Sequence, residues 1–148
     1  MSYNATGNSA SRRIATLLDE GSFVEIGGAV TARSTTFNLQ EKAAPSDGVI
    51  TGYGVIDGNL VYVYSQDADV LGGALGEMHA KKIARIYDMA MKMGAPVIGL
   101  VDCAGMRLQE ATAIISATFF VVPLALKNAT NFLLIIKSPF LYVFFTKK

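Results

Sequence analysis

Apolar residues recur with a helical period in two parts of the chain and with an extended pattern between them. The first helical part is "SASRRIATLLDEG" at residues 9–21, where Ser9 or Ser11 is typical of a helix N-cap and Gly21 of a left-handed stop. Its apolar stripe consists of Ile14, Leu17 and Leu18. The "FVEI" that follows predicts a short strand.

The clearest extended pattern is "VITGYGVIDGNLVYVYSQD" at residues 49–67. β-branched and aromatic runs flank Asp57 and Gly58, which is the usual chemistry of a tight hairpin turn. Residues 34–48, just before it, show no period and end in turn-forming residues. We therefore expect a surface loop followed by a β-hairpin.

The second helical part is "ALGEMHAKKIARIYDMAMKMG" at residues 74–94, which Gly94 is expected to end. Its apolar stripe is formed by Leu75, Met78 or His79, Ile83, Ile86, Ala90 and Met93. The "VIGLV" at residues 97–101 is continuously apolar, as in a parallel strand that is buried on both faces. Strand, helix and strand in this order predict a right-handed βαβ unit and an α/β fold.

Two small-residue turns follow the two strands of this unit. "VLGGALG" follows the hairpin, and "DCAGMR" follows the apolar strand. Since both turns leave the carboxyl ends of parallel strands, we expect them to face each other across one crevice. Gly72, Gly73, Ala104 and Gly105 either only permit tight turns, or let backbone N–H groups converge on a developing negative oxygen as an oxyanion hole.

Side chains offer few catalytic candidates. The single histidine, His79, is expected mid-helix and partly packed, and Cys103 is interpreted as a small buried residue without a histidine to activate it. A carboxylate pair or a solvent-exposed loop would each explain Asp67 and Asp69. Contacts to phosphate or a solvent-exposed helix face would each explain Lys81 and Lys82. Polarisation of a ligand oxygen by backbone N–H groups is therefore the best remaining catalytic interpretation.

Composition narrows the class of protein. Of the 148 residues, 51% are hydrophobic and 17% charged, which indicates a folded domain. A net charge of +1, with no nucleic-acid-binding motif, argues against DNA or RNA as a partner. One cysteine and an amino terminus without an apolar signal segment favour a reducing cytoplasm.

The motifs "LLDEGSFVEIG", "VLGGALGEMHAKK", "APVIG" and "RLQE" occur in the order typical of one family. The chain closely resembles the amino-terminal domain of the acyl-CoA carboxyltransferases, such as propionyl-CoA carboxylase β subunits and methylmalonyl-CoA decarboxylase carboxyltransferase subunits. The resemblance implies a crotonase-like spiral of ββα units. It also implies carboxyl transfer between an acyl-CoA and biotin, with the biotin attached to a carboxyl carrier protein, and a homo-oligomer in the full-length family.

The resemblance also implies roles for residues of the two turns. Backbone N–H groups of Gly72, Gly73, Ala104, Gly105 and Met106 would hold the thioester enolate, and Leu71, Ala74 and Arg107 would contact the acyl-CoA. Cys103, Ala104 and Met106 stand where many relatives have Ser, Gly and Ala. The bulkier Met106 leaves the acyl group open, and the direction of transfer is open as well.

The amino-acid composition of the chain changes after residue 112. Residues 113–148 contain no Asp, Glu or Gly, whereas residues 1–112 contain all 12 acids and all 14 glycines. We interpret 1–112 as a partial carboxyltransferase domain and 113–148 as an atypical hydrophobic tail, translated out of frame or past a junction. A membrane hairpin is the alternative, but the tail's apolar runs of 14 residues are shorter than the ~18–20 needed to span a bilayer.

Two other functions remain open at this point. The chain could catalyse another crotonase-like reaction on an acyl-CoA, or it could be a non-catalytic fragment that binds CoA or partner subunits. Because the biotin-binding half of the family is missing from these 148 residues, we expect the chain alone to transfer no carboxyl group.

Overall fold

A six-stranded sheet organises the residues that this computed structural model describes, which are 8–31, 45–107 and the backbone of 132–136 and 143–145. The elements are α1 Ser9–Leu17, β1 Val24–Glu25, β2 Val49–Ile56, β3 Asn59–Gln66, α2 Glu77–Met93, β4 Val97–Val101, β5 Phe132–Ile136 and β6 Val143–Phe145. The strand order in the sheet follows the chain. β4 is parallel to both β3 and β5, and the other neighbours are antiparallel.

The β2–β3 hairpin has the tight turn that the sequence predicted. Asp57 and Gly58 both have positive φ, 51° and 79°, and the strands pair from Val49↔Gln66 to Ile56↔Asn59. Two consecutive left-handed residues match the right-handed twist of the flanking strands. The predicted hairpin and βαβ unit are both confirmed.

One helix covers each face of the sheet. Because side chains alternate along a strand, Val61 and Val63 of β3 pack towards α1, whereas Tyr62 and Tyr64 pack towards α2. The cluster on the α1 side also contains Ala10, Ile14, Leu18, Ile50, Ile98 and Leu100. The cluster on the α2 side also contains Val49, Ile83, Ile86, Tyr87, Ala90, Ala95 and Val97. The parallel strands β3 and β4 are therefore buried on both faces, as the continuous apolar run of β4 predicted for that strand.

Both ends of α1 differ from the prediction. The N-cap of α1 is Asn8, whose side-chain oxygen accepts a hydrogen bond from the Ser11 N–H at 3.0 Å, so neither Ser9 nor Ser11 caps it. The helix ends at Leu17 because Leu18 turns to an extended conformation and packs into the core. Gly21 does have positive φ, but it lies beyond the end of the helix.

The boundaries of α2 are confirmed at one end and corrected at the other. Gly94 has φ 65° and caps the carboxyl end as predicted, whereas the helix begins at Glu77 rather than residue 74. Leu75 instead forms a parallel bridge with Met106, and its neighbours Ala74 and Gly76 are extended. Met93 was placed on the buried stripe, but it is 62% exposed because it lies in the last turn beyond the sheet.

The tail contributes backbone to the sheet. β5 lies beside β4 in parallel register, with Phe132 opposite Val97, and β6 pairs with β5. Residues 34–44 of the loop predicted at 34–48 lie outside the described residues, and so does the first apolar run of the tail, 113–126. Among the residues described, no helix is long and apolar enough to cross a membrane.

The change of reading frame after residue 112 stays a prediction. Cutting the chain after Thr112 tests that prediction. We expect the soluble yield to rise or stay unchanged, because windows such as "FLLII" and "LYVFF" pair edge to edge when exposed. Soluble yield and the urea midpoint of residues 1–112 would be compared with those of the full chain. Loss of folding would instead mean that β5 is needed to cover the edge of β4, and the tail would then be part of the domain.

Candidate functional site

The two small-residue turns meet at the carboxyl ends of β3 and β4. The Ala104 N–H donates to the Gly72 carbonyl at 3.0 Å, and the Leu75 N–H donates to the Gly105 carbonyl at 2.8 Å. The Arg107 N–H in turn donates to the Leu75 carbonyl at 3.0 Å. The predicted juxtaposition of the two turns is confirmed, and backbone hydrogen bonds hold it.

Gly73 shows how closely the two backbones approach. Its φ is 66°, and a Cβ at this position would overlap the carbonyl oxygen of Asp102. Gly72 has nearly the same φ, 67°, but a Cβ there would meet only the Ala104 side chain, at 3.3 Å. A side chain at residue 73 would therefore push the turns apart, whereas residue 72 lies at their open side.

The backbone N–H groups of the turns are not equally available. Those of Gly73 and Ala74 donate within their own turn, to Val70 and Leu71 at 2.9 and 3.2 Å. The Ala104 N–H is bound to Gly72, and the Gly105 N–H donates to Cys103 Sγ at 3.3 Å. Within the described part of the chain, no acceptor takes the N–H of Gly72 or of Met106. Of the five amides named for the oxyanion hole, these two are therefore the ones available to a ligand.

A buried ion pair lies directly behind the second turn. Arg107 Nη1 donates to Asp47 Oδ1, and the two side chains are 5% and 0% exposed. The sequence placed Asp47 in a surface loop, which is wrong: local composition cannot reveal a partner 60 residues away. Arg107, expected to contact an acyl-CoA, has at least this part of its guanidinium bound by the protein.

Asp47 lies in a strained turn, Pro45–Gly48. Ser46, Asp47 and Gly48 have φ values of 55°, 49° and 70°, and left-handed backbone costs a non-glycine residue about 1–2 kcal/mol. Such a conformation persists only where surrounding contacts enforce it. Here they come from Arg107 on one side and from the helix α2 on the other.

Lys82 supplies one of those contacts from α2. Its Nζ donates to the Ser46 carbonyl at 3.0 Å, and also to Ser46 Oγ and the Val49 carbonyl. The expectation of a wet helix face is therefore wrong for Lys82, which is 6% exposed, and right for Lys81, which pairs with Glu77 on the surface. Burial lowers the pKa of Lys82 to about 8, and the negative charges of Glu25 and Asp47 oppose this shift.

His79 supplies the other contact and is fully buried, more deeply than the sequence suggested. Its backbone N–H donates to Asp47 Oδ2 at 2.7 Å, and its Nδ1 lies 3.0 Å from the Asp47 carbonyl oxygen. Its Nε2 lies 3.0 Å from the side-chain nitrogen of Gln66. Burial lowers the pKa of His79 from 6.5 to about 3; the Asp47 hydrogen bond opposes the shift, whereas the charges of Arg107 and Lys82 add to it. The imidazole is therefore neutral and held in place.

The remaining side-chain candidates do not form a catalytic group. Asp67 is buried and accepts hydrogen bonds from Asn8 and from the Asp69 N–H, while Asp69 is exposed, so the two are not a carboxylate pair. Cys103 is exposed rather than buried, because its turn projects beyond the sheet edge. The described residues contain no cluster of three or more His, Cys, Asp or Glu that could hold a metal ion.

Comparison with known proteins places this arrangement in a family. The carboxyl transferase domain matches residues 2–122. The chain belongs to this family. It is 53% identical over 114 residues to the methylmalonyl-CoA decarboxylase subunit alpha of Propionigenium modestum, covering 76% of this chain and 22% of that protein. It is 55% identical over 101 residues to the propionyl-CoA carboxylase beta chain of Roseobacter denitrificans, covering 68% and 20%.

Solved carboxyl transferase structures show the same fold. A transcarboxylase 12S hexamer with methylmalonyl-coenzyme A and methylmalonic acid bound has a TM-score of 0.80 at 33% identity, over 86% of this chain and 25% of that one. A Pseudomonas malonate decarboxylase hetero-tetramer in complex with malonate has a TM-score of 0.71 at 25% identity, over 92% and 51%. The resemblance and the crotonase-like fold are confirmed. The chain spans about a fifth of the length of the curated relatives, 22% and 20% of the two named above.

Alanine substitutions at the two adjacent glycines test the close approach of the turns. Gly72→Ala should lower the free energy of unfolding by about 1 kcal/mol, the cost of left-handed backbone. Gly73→Ala has the same backbone cost and an overlap with the Asp102 carbonyl, so we expect a loss at least about 2 kcal/mol larger. Urea unfolding of both variants gives the comparison, and equal losses would contradict the close contact.

The state of His79 predicts a pH dependence of stability. Its pKa is depressed on folding, so the stabilisation is complete above about pH 6.5 and is lost as the pH falls towards 3, by up to about 1.4 kcal/mol per pH unit. His79 is the only histidine of the chain, so His79→Asn removes this dependence at its source. Urea unfolding at pH 7.5, 6.5, 5.5 and 4.5 should show a less stable variant with a shallower slope. Parallel curves would show that the imidazole is not buried in its neutral form.

Proposed function

We propose that this chain forms the acyl-CoA side of a biotin-dependent carboxyl transferase site. The observation that carries the proposal is the pair of turns joined by backbone hydrogen bonds at the carboxyl ends of β3 and β4. Their N–H groups are held by the fold before any ligand arrives. Donors fixed in this way stabilise a developing negative charge without having to reorganise.

The chemistry needed from such a site is stabilisation of an enolate. When the α-carbon of an acyl-CoA gains or loses a carboxyl group, negative charge develops on the thioester oxygen. The amides of Gly72 and Met106 are the first candidates to bind that oxygen, and Gly73, Ala104 and Gly105 keep the two turns at the required separation through their internal hydrogen bonds. We propose that the residues flanking this position line the acyl-CoA site; they are Leu71, Ala74 and Arg107.

Biotin, when bound to its carrier protein, supplies or accepts the carboxyl group that is transferred. Its ureido oxygen would need a second set of converging donors. Among the described residues we identify one candidate set, at the two turns, and we assign it to the thioester. We therefore assign no residue of this chain to biotin, and we propose a carrier protein and further copies of the chain as partners. The hexamer of the transcarboxylase 12S structure supports an oligomer.

The names of the relatives support a short acyl group. The two relatives named above are a propionyl-CoA carboxylase chain and a methylmalonyl-CoA decarboxylase subunit, and the transcarboxylase 12S structure contains methylmalonyl-coenzyme A. Met106 is 45% exposed beside the candidate amides, where its side chain can limit the size of the acyl group. We propose propionyl-CoA or methylmalonyl-CoA as the ligand and the cytoplasm as the location.

The other two functions have less support. A crotonase-like hydrolysis or isomerisation needs a side-chain base, and His79 is buried with both ring nitrogens in hydrogen bonds. A non-catalytic CoA-binding fragment has the same ligand as the leading proposal. It differs only in the absence of transfer when partner subunits are supplied.

Cys103 allows a direct test, because it is the only cysteine of the chain and lies exposed in the second turn. We expect propionyl-CoA to slow the alkylation of Cys103 by iodoacetamide in a saturable manner, and propionate to have no effect. The chain alone should show no carboxyl transfer from carboxybiotin. Measured rates against ligand concentration give the dissociation constant.

Two substitutions at one position provide the control. Met106→Pro removes the N–H and should weaken propionyl-CoA binding by about fivefold, the value of one hydrogen bond of about 1 kcal/mol. Met106→Ala keeps the N–H and should retain the affinity to within about twofold. Equal affinities in the two variants would contradict the role of this amide, and lack of protection in the unmodified chain would contradict the proposed function.

A further inference from the structure

Both ends of the second turn are tied to one buried chain of hydrogen bonds. At its start, the Asp102 N–H donates to Gln66 Oε1 at 3.1 Å. At its end, Arg107 donates to the carboxylate of Asp47. His79 connects the two, because it contacts Gln66 through Nε2 and Asp47 through Nδ1 and its backbone N–H.

The direction of each hydrogen bond in this chain follows from its neighbours. Because the Asp102 N–H is a donor, the Gln66 side chain must turn its oxygen towards it and its NH₂ towards His79. The NH₂ donates, so Nε2 of His79 must accept, and the proton of the neutral ring is then on Nδ1. That proton meets the Asp47 carbonyl, which can only accept. Every group has one role, and the low pKa of His79 keeps the imidazole in this form.

A reversed Gln66 side chain would break the whole chain. Its NH₂ would face the Asp102 N–H, and its oxygen would face the lone pair of His79 Nε2. Relief of the second conflict would require the proton to move to Nε2, which would leave Nδ1 without a proton for the Asp47 carbonyl. Since Asp47, Gln66 and His79 are buried, a hydrogen bond lost between them leaves polar groups without water to replace it.

Arg13 adds a second tie at the same place. It donates to the Gln66 carbonyl oxygen, and its Nη1 lies 3.5 Å from Asp102 Oδ2. Asp102 is thus held through its amide by the Gln66 side chain and through its carboxylate by Arg13. The first residue of the turn has little freedom to move away from the end of β3.

We propose that Gln66 is a positioning residue of the acyl-CoA site, whose side-chain amide bridges His79 and the Asp102 N–H and so holds the Cys103–Met106 turn against Gly72. The ligand part of this inference rests on the proposed function. Gln66 itself is 5% exposed, and the hydrogen bond that links its side chain to the turn is the one from the Asp102 N–H. It therefore acts on the turn and takes no part in the chemistry.

The test compares Gln66→Met with a control in the full chain. Methionine has the length of glutamine but removes both hydrogen bonds. Thr51→Val is the control, because it removes the hydrogen bond from the buried Thr51 Oγ1 to the Ile26 carbonyl at 2.7 Å. Thr51 lies on β2, and the hydrogen bonds given for the described residues do not link this residue to the Cys103–Met106 turn. Three quantities are measured for each: the urea midpoint, the rate of Cys103 alkylation by iodoacetamide in the folded protein, and its protection by propionyl-CoA.

We expect both variants to be less stable, but only Gln66→Met to change the site. Its Cys103 should react about threefold faster or more, because release of Asp102 frees the turn that holds the thiol against Gly105. Propionyl-CoA affinity should fall about tenfold. If Gln66→Met keeps the alkylation rate and the affinity of the unmodified chain, the positioning role is overturned. If propionyl-CoA protects no variant, the proposed function fails, and the alkylation rates alone decide the role of Gln66.

Gln66→Glu provides a second variant in case the methionine variant does not fold. Its carboxylate still accepts from the Asp102 N–H, but it faces His79 Nε2 without a proton between them. The other charged groups around the imidazole are Asp47 on the Pro45–Gly48 turn, Lys82 on α2 and Arg107, which follows the Cys103–Met106 turn. With the imidazole neutral at pH 8, the bridge loses a hydrogen bond, so Cys103 should react faster than in the unmodified chain. An alkylation rate equal to that of the unmodified chain would overturn the proposal.

Discussion

The carboxylate of Asp47 is the constraint on which the site depends. A charge with no exposure to water is tolerated only when it is paired and hydrogen-bonded, because removing it from water costs several kcal/mol. Arg107 and the backbone N–H of His79 provide those partners. The three residues come from a turn, a helix and a loop that are far apart in the chain. Satisfying one buried charge therefore fixes three segments relative to one another.

The strain of the turn around Asp47 follows from the same requirement. Ser46 and Asp47 have left-handed backbone although neither is glycine. Lys82, on α2, donates hydrogen bonds to the carbonyl and hydroxyl oxygens of Ser46. The sheet supplies a rigid base, since β3 and β4 are packed on both faces. The site is thus built from an ordinary βαβ unit, to which one strained turn and one buried network add precision. No side chain of that network needs to react, which agrees with chemistry carried by backbone amides.

The sequence predicted those features whose causes are local. Asp57-Gly58 sets the hairpin by its own backbone preference, Gly94 ends α2 in the same way, and the continuous apolar run of β4 indicates burial on both faces. Consequently the meeting of the two turns could also be predicted. The sequence did not predict Asp47, Gln66 or the burial of Lys82, because their partners are 13 to 60 residues away and no periodicity marks them. Asn8 was missed as a cap because two serines beside it fit the same role.

The distance along the chain between Asp47 and Arg107 has a consequence for the order of folding. Their contact closes a loop of 60 residues, which costs chain entropy on the order of 3–4 kcal/mol before any bond between them forms. The hairpin closes within two residues, and α2 forms from neighbouring residues alone, so both can be in place first. During synthesis on a ribosome the guanidinium emerges after every other described member of the network. The geometry of the two turns is therefore completed late in the synthesis of each new chain, and nascent intermediates with a complete hairpin and helix still lack it.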